Sequence, residues 1–216
     1  MIDWKWIFTH FELFGELLGE HIYLSIIPVI IGLAVSLVLG VASRYWAWTY
    51  TPTLAVTSIF YAIPSIALFV FLLDYTGLTA ATAIIPLTIY TVSVLYRNVV
   101  EGLRSVDDSV RQSASSMGFG PLRQLVQVEL PIAAPVIIAG LRVATVANVS
   151  MVSIAALIGI GGLGSLFTEG IQRFFMTEIL VGIVLTMALA FVLDYLLALA
   201  QRVITPWSTR KQGVPA

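Results

Sequence analysis

Five stretches of this chain are long and apolar enough to cross a bilayer, which takes about 20 residues coiled as a helix. They are Ile22–Val41, Thr53–Leu73, Leu78–Tyr96, Ile132–Ile158 and Ile179–Ala200, and the first three contain no charged residue. Backbone polar groups in lipid must be satisfied within the chain, so each run is expected as a helix. The composition agrees, with 59% of residues hydrophobic and 11% charged, where a soluble domain has roughly one-quarter charged. The expected class is therefore all-α, a polytopic membrane protein with five transmembrane helices. A formal net charge of −1 gives no case for nucleic acid as a partner. With no cysteine, there are no disulfides, no thiolate chemistry and no Cys-based metal site.

Basic residues fix the orientation, because Lys and Arg are retained on the cytoplasmic side. With the N-terminus outside, Arg44, Arg97, Arg104, Arg111, Arg123, Arg202, Arg210 and Lys211 fall inside. Lys5 and Arg173 stay outside and Arg142 lies within a span, so N-out, C-in is the expected topology. Residues 1–21 carry Asp3, Glu12, Glu16 and Glu20, unlike the basic leading region of a secretory signal. Their three glutamates line one helical face, with Trp4, Ile7, Phe8, Phe11, Phe14 and Leu18 on the other. That pattern predicts an interfacial amphipathic helix packed on the protein's outer side. The chain then divides into this helix (1–21), a membrane domain (22–204) and a cytoplasmic tail (205–216). Pro28, Pro64 and Pro86 fall inside spans, where each tends to kink the helix. No internal repeat relates the two halves, which counts against a secondary transporter built from inverted repeats.

The long polar interruption runs from Glu101 to Pro131. Ser105 with Asp108 makes a capping-box pattern, and Val106, Val110, Ala114 and Met117 then recur at helical spacing. Gly118 suits the left-handed position past a helix end, and Pro121 the first turn of the next. The stretch reads as a short helix, a Gly-Phe-Gly turn and a second short helix leading into Pro131. Ser113, Ala114, Ser115 and Ser116 give the first helix a slim waist. It is either a solvated loop or a surface on which another protein's backbone docks.

Other candidate sites each have two readings. Arg142 and Asp194 are charges within spans, in the inner half of the membrane. Such residues face the bundle interior and find partners: Arg142 with Asp194, or Asp194 with Arg97. A structural ion pair is the favoured reading over a proton or ion relay. Asn148, Ser150 and Ser153, with Pro64 and Ser65, either line a translocation path or hydrogen-bond between helices. Gly159, Gly161, Gly162 and Gly164 match the spacing of a dinucleotide fingerprint, but they follow a membrane helix rather than a strand. They are expected to end the fourth span on the outer face, either as a plain terminus or as a fold back toward the pore. His10 and His21 are isolated and expected at the interface, and no metal-ligand cluster, nucleophile with a base beside it, or Walker-type loop is found.

With these residues in view, the polar stretch resembles the cytoplasmic motif of permease subunits in bacterial ABC importers. That motif is Glu-Ala-Ala, three residues, Gly, nine residues, then Ile-x-Leu-Pro. Gln112, Ser113, Ala114, Gly118, Val128, Leu130 and Pro131 fill its positions. Gln112 replaces the Glu, Ser113 the first Ala and Val128 the Ile; Gln112 loses the charge but keeps hydrogen-bonding capacity. Ala62–Leu68, Tyr96-Arg97-Asn98, Val128-Glu129-Leu130-Pro131, Gly140–Val146 and Ala155–Gly164 resemble, in order, the glycine betaine/carnitine/choline branch.

The resemblance implies a type I importer permease in the bacterial inner membrane, moving a small solute by alternating access. The helix holding Gln112, Ser113, Ala114 and Met117 would be the coupling helix, seated in a groove of a cytoplasmic ATPase. The implied partners are two ATPase subunits, a second permease copy or homologue, an extracytoplasmic binding protein and membrane lipid. ATP and Mg would bind the ATPase, so no cofactor and no catalysis are expected of this chain. Another small solute, such as an amino acid or its derivative, is the alternative substrate. A secondary transporter or channel would need coupling-ion ligands in the membrane, and a membrane enzyme would need a reactive cluster.

Overall fold

Each apolar run becomes helix, and most helices overrun the run that seeded them. The computed structural model describes residues 2–207. Helix α1 (Trp4–Thr9) begins at Asp3, whose carboxylate accepts from the Trp6 amide. Helix α2 (Phe11–Tyr45) is followed by α3 (Tyr50–Ala62), α4 (Ser65–Thr76) and α5 (Ala80–Arg104). The short α6 (Asp108–Ser116) precedes α7 (Pro121–Gln124), which passes through a π-helical turn into α8 (Leu130–Ala155). Helices α9 (Ser165–Gln172) and α10 (Met176–Ile204) complete the chain, and no strand occurs among the described residues. Arg210 and Lys211, with most of the 205–216 tail, lie outside the described residues.

The N-terminal stretch is not the single interfacial helix expected over 1–21. The helix breaks at His10, and residues 11–21 run on into the first span as part of α2. Part of the expected apolar face does pack on protein, with Phe14 buried beside Val149, Leu163, Leu166 and Leu189, while Trp4, Phe8 and Phe11 remain exposed. Likewise, α5 extends past Tyr96 to Arg104 and carries the third span into the cytoplasm.

Four helical segments could each cross a membrane alone, and α3 with α4, bent by 91°, makes the fifth span. Hydrogen bonds show that the bent pair crosses rather than turning back. It runs antiparallel along α5, with Tyr96 Oη donating to the Tyr50 carbonyl and Ser93 Oγ to the Thr57 carbonyl. Farther out, Thr82 bonds Thr76 and the Gly77 carbonyl. Pro28, Pro86 and Pro135 remain inside unbroken helices, whereas Pro64 stands at the break. Ile63 is extended, as a residue before proline tends to be. Its carbonyl accepts from Tyr90 Oη at 2.6 Å, so the freed backbone group is satisfied by a neighbouring helix. Tyr90→Phe removes that donor at a cost of about 1–3 kcal/mol. It should lower the melting temperature of the detergent-purified protein without reducing helical content; an unchanged melting temperature would mean the bond carries no stability.

The core lies where α2, α5 and α8 meet. Leu24, Phe69, Ala83, Leu87, Val152 and Ala155 fill its outer half, and Val99, Leu103, Leu125, Ala133 and Ile137 its inner half. Gly32 and Gly40 of α2 rest on Thr91 and Val99 of α5 with no room for a Cβ. Small residues of this kind let membrane helices approach closely where burial against lipid offers no gain.

Candidate functional site

The cytoplasmic tip is built from α6 and the start of the α7–α8 helix. Helix α6 starts at Asp108, and its cap is Asp107, not the expected Ser105–Asp108 box. The carboxylate of Asp107 accepts from the Ser109 amide at 2.8 Å, and bonds from Ser109 hold it below the usual carboxylate range. Ser105 instead caps the end of α5, its hydroxyl donating to the Gly102 carbonyl. Gly118 takes φ +81°, and its amide and that of Phe119 close the helix end on Ser115 and Ala114. Nothing lies within 4 Å of a Cβ built there, so conformation rather than space demands glycine. Gly118→Ala should therefore cost about 1–2 kcal/mol locally, read as a lower melting temperature of the detergent-purified protein. An unchanged melting temperature would show that the turn geometry is not needed.

The apolar stripe of α6 divides. Val106 and Ala114 are buried, but Met117 is 69% exposed, beyond the helix end where the stripe stops facing the protein. Gln112, Ser113, Met117 and Gly118 form an open surface beside Leu122, while Leu130 and Pro131 sit half-buried behind it.

A buried carboxylate anchors that surface to the membrane helices. Glu129 is 3% exposed. One of its oxygens lies 3.1 Å from Arg44 Nε at the end of α2 and 3.5 Å from Arg111 Nε in α6. The other accepts from Gln124 Nε2 at 3.0 Å. Arg111 also holds Asp108 and the Leu103 carbonyl, each at 2.7 Å. Glu129 thus joins α2, α5, α6 and α7; the sequence showed it only as part of the Val128–Pro131 resemblance and gave it no role.

Within the membrane, Arg142 and Asp194 form a two-pronged ion pair, Nε to Oδ1 and Nη2 to Oδ2, both 2.7 Å. It ties α8 to α10. Arg97 does not join it, and instead lines a hollow of about 290 Å³ with Ser58, Tyr61, Ser93, Val94 and Asn98.

The residues expected along a path are not brought together. Asn148 is buried and donates to Thr91 Oγ1 at 2.9 Å, tying α8 to α5. Ser150 bonds back to the Val146 carbonyl, and the Ser153 hydroxyl is buried without a partner. Pro64 is exposed at the break, with Ser65 half-buried beside it. Side-chain polarity placed these residues in helices without saying which way they point.

The outer glycines end the fourth span, with Gly159 and Gly162 at φ +81° and +77°. The turn then docks on α2. Glu20 accepts from the Gly162 amide at 2.8 Å, and His21 Nδ1 from the Leu163 amide at 3.1 Å. His21 Nε2 meets the Val149 carbonyl at 2.9 Å, which makes it the Nε2–H tautomer. His21 is fully buried, contrary to the interfacial place expected of it, because its two ring nitrogens satisfy backbone groups of two other segments.

Comparison with known proteins bears on this arrangement. Residues 29–209 match the family described as binding-protein-dependent transport system inner membrane component. The chain is 36% identical to the choline transport system permease protein OpuBB of Bacillus subtilis, over 89% of this chain and 90% of that protein. It is 33% identical to the glycine betaine/carnitine/choline transport system permease protein OpuCB of the same organism, over 89% and 90%. It is 34% identical to the osmoprotectant import permease protein OsmW of Salmonella typhimurium, over 91% and 94%. Among solved structures, a chain of the MetNI methionine ABC transporter in an inward-facing conformation superposes with a TM-score of 0.79. That match covers 94% of this chain and all of the other at 22% identity, so the two share the fold.

Proposed function

As this chain belongs to the binding-protein-dependent transport system inner membrane component family, we propose that the solutes it passes are quaternary-ammonium osmoprotectants. It is an ABC importer permease of the inner membrane. The observation that carries the substrate class is the match, over about nine-tenths of the chain, to permeases named for choline, glycine betaine and carnitine.

Two ATPase subunits bind below, and a second permease, identical or homologous, completes the gate. A binding protein delivers solute to the outer face. ATP and Mg stay with the ATPase, and this chain hydrolyses nothing. Gln112, Ser113, Met117 and Gly118 meet the ATPase groove, with Ala114, Leu130 and Pro131 as their backing. Nucleotide on one side and loaded binding protein on the other bias a two-state bundle, each through its differential affinity for the two states.

The test is uptake by vesicles holding the complete complex, fed with binding protein and labelled glycine betaine, carnitine or choline. ATP-dependent uptake of at least one of these, competed by unlabelled osmoprotectant, is the expected result. Uptake of an amino acid and of none of the three would overturn the substrate reading.

A further inference from the structure

The hollow between α3 and α5 has features that the structural pairings leave unused. Its volume of about 290 Å³ is near the small end of ligand cavities, which begin at about 300 Å³. Arg97 is exposed there and, among the described residues, makes neither an ion pair nor a hydrogen bond. It lies seven residues before the end of α5, about 10 Å along the axis. It stands one residue past the third apolar run, at the cytoplasmic end of that span, where its guanidinium is open to water or to a ligand. Arg142, by contrast, is paired.

The hollow has an aromatic wall as well. Tyr61 is 52% exposed, and its ring meets Tyr90 edge-on with centroids 6.0 Å apart. The hydroxyl of Tyr90 is committed to Ile63, so the pair is held in place from behind. Tyr61 and Tyr90 also line a smaller crevice that reaches toward Asn148 and Met151.

A ring face attracts an onium ion, and a guanidinium pairs with a carboxylate through two parallel hydrogen bonds. We infer that this hollow is a transit site for a zwitterion, its quaternary ammonium against Tyr61 and its carboxylate on Arg97. It therefore favours glycine betaine and carnitine over choline, which has no carboxylate. This rests on the osmoprotectant reading above and adds a selectivity that the reading does not contain.

The experiment compares glycine betaine with choline uptake, at subsaturating solute, in vesicles holding the complete importer. The binding protein is the same throughout, so a change in the ratio belongs to the permease. Arg97→Gln should lower the betaine-to-choline ratio about tenfold, the worth of a hydrogen bond to a charged group, and Arg97→Lys should keep most of it. Ser58→Asp retains Arg97 but neutralises it in place, and should shift the ratio the same way; it decides the matter if Arg97→Gln does not assemble. Tyr61→Leu should lower both uptakes and leave the ratio nearly unchanged. An unchanged ratio in Arg97→Gln and Ser58→Asp overturns the inference, including the case where both uptakes fall together because Arg97 braces the second permease. If the wild type takes up choline alone, this inference fails and the osmoprotectant reading stands. If it takes up neither, both fail.

Discussion

Glu129→Ala should separate ATP hydrolysis from solute uptake. The Glu129 carboxylate is the shared anion for Arg44 and Arg111, and its loss leaves Arg44 without its ion-pair partner while Arg111 keeps only the exposed Asp108. Removing one partner of a buried charge cluster costs about 3–5 kcal/mol. Here that cost falls on the attachment of α6 to the rest of the bundle. The ATPase would still find Gln112, Ser113 and Met117, but movement of α6 would no longer be passed to α2 and α7. ATP hydrolysis should persist while uptake per ATP falls at least tenfold, with Glu129→Asp intermediate. Measuring both rates on the same vesicles checks this. Wild-type uptake per ATP in Glu129→Ala would show that the clasp transmits nothing.

The second large effect is expected at Arg142 and Asp194. Asp194→Ala leaves Arg142 unpaired inside the membrane, at about 3 kcal/mol on insertion scales. The protein recovered from membranes should fall several-fold. Arg142→Asp should do the same, and the double exchange Arg142→Asp with Asp194→Arg should restore it, because the pair ties α8 to α10 whichever helix carries which charge. Recovery that stays low in the double exchange, while each single variant is also low, would argue for a role beyond pairing.

What the sequence made legible follows from which forces are local. Apolar runs mark membrane helices because lipid leaves the backbone no alternative, so all five spans are found where expected. Gly118 and Pro121 were equally legible, since left-handed backbone and a missing N–H are properties of single residues. Partnered features were not. Pro64 and Pro86 look alike in sequence, yet only Pro64 stands at a 91° bend, where Tyr90 receives the freed carbonyl of Ile63. His21 carried no hint of the Val149 and Leu163 backbone groups that bury it, more than a hundred residues away. Glu129 was visible only as a letter in a motif, because Arg44 and Arg111 reach it from other helices. Ser105 was misplaced as a cap because α5 runs further than its apolar stretch, and Asp107 takes the role two residues later.

The central claim is that this bundle is a gate moved by a separate ATPase through α6. Uptake of labelled glycine betaine, carnitine or choline into vesicles tests it most directly, with binding protein present and the ATPase either active or inactivated in its hydrolytic site. The account predicts accumulation against a gradient with the active ATPase and ATP, and none with the inactive one. Equal accumulation in both would contradict it.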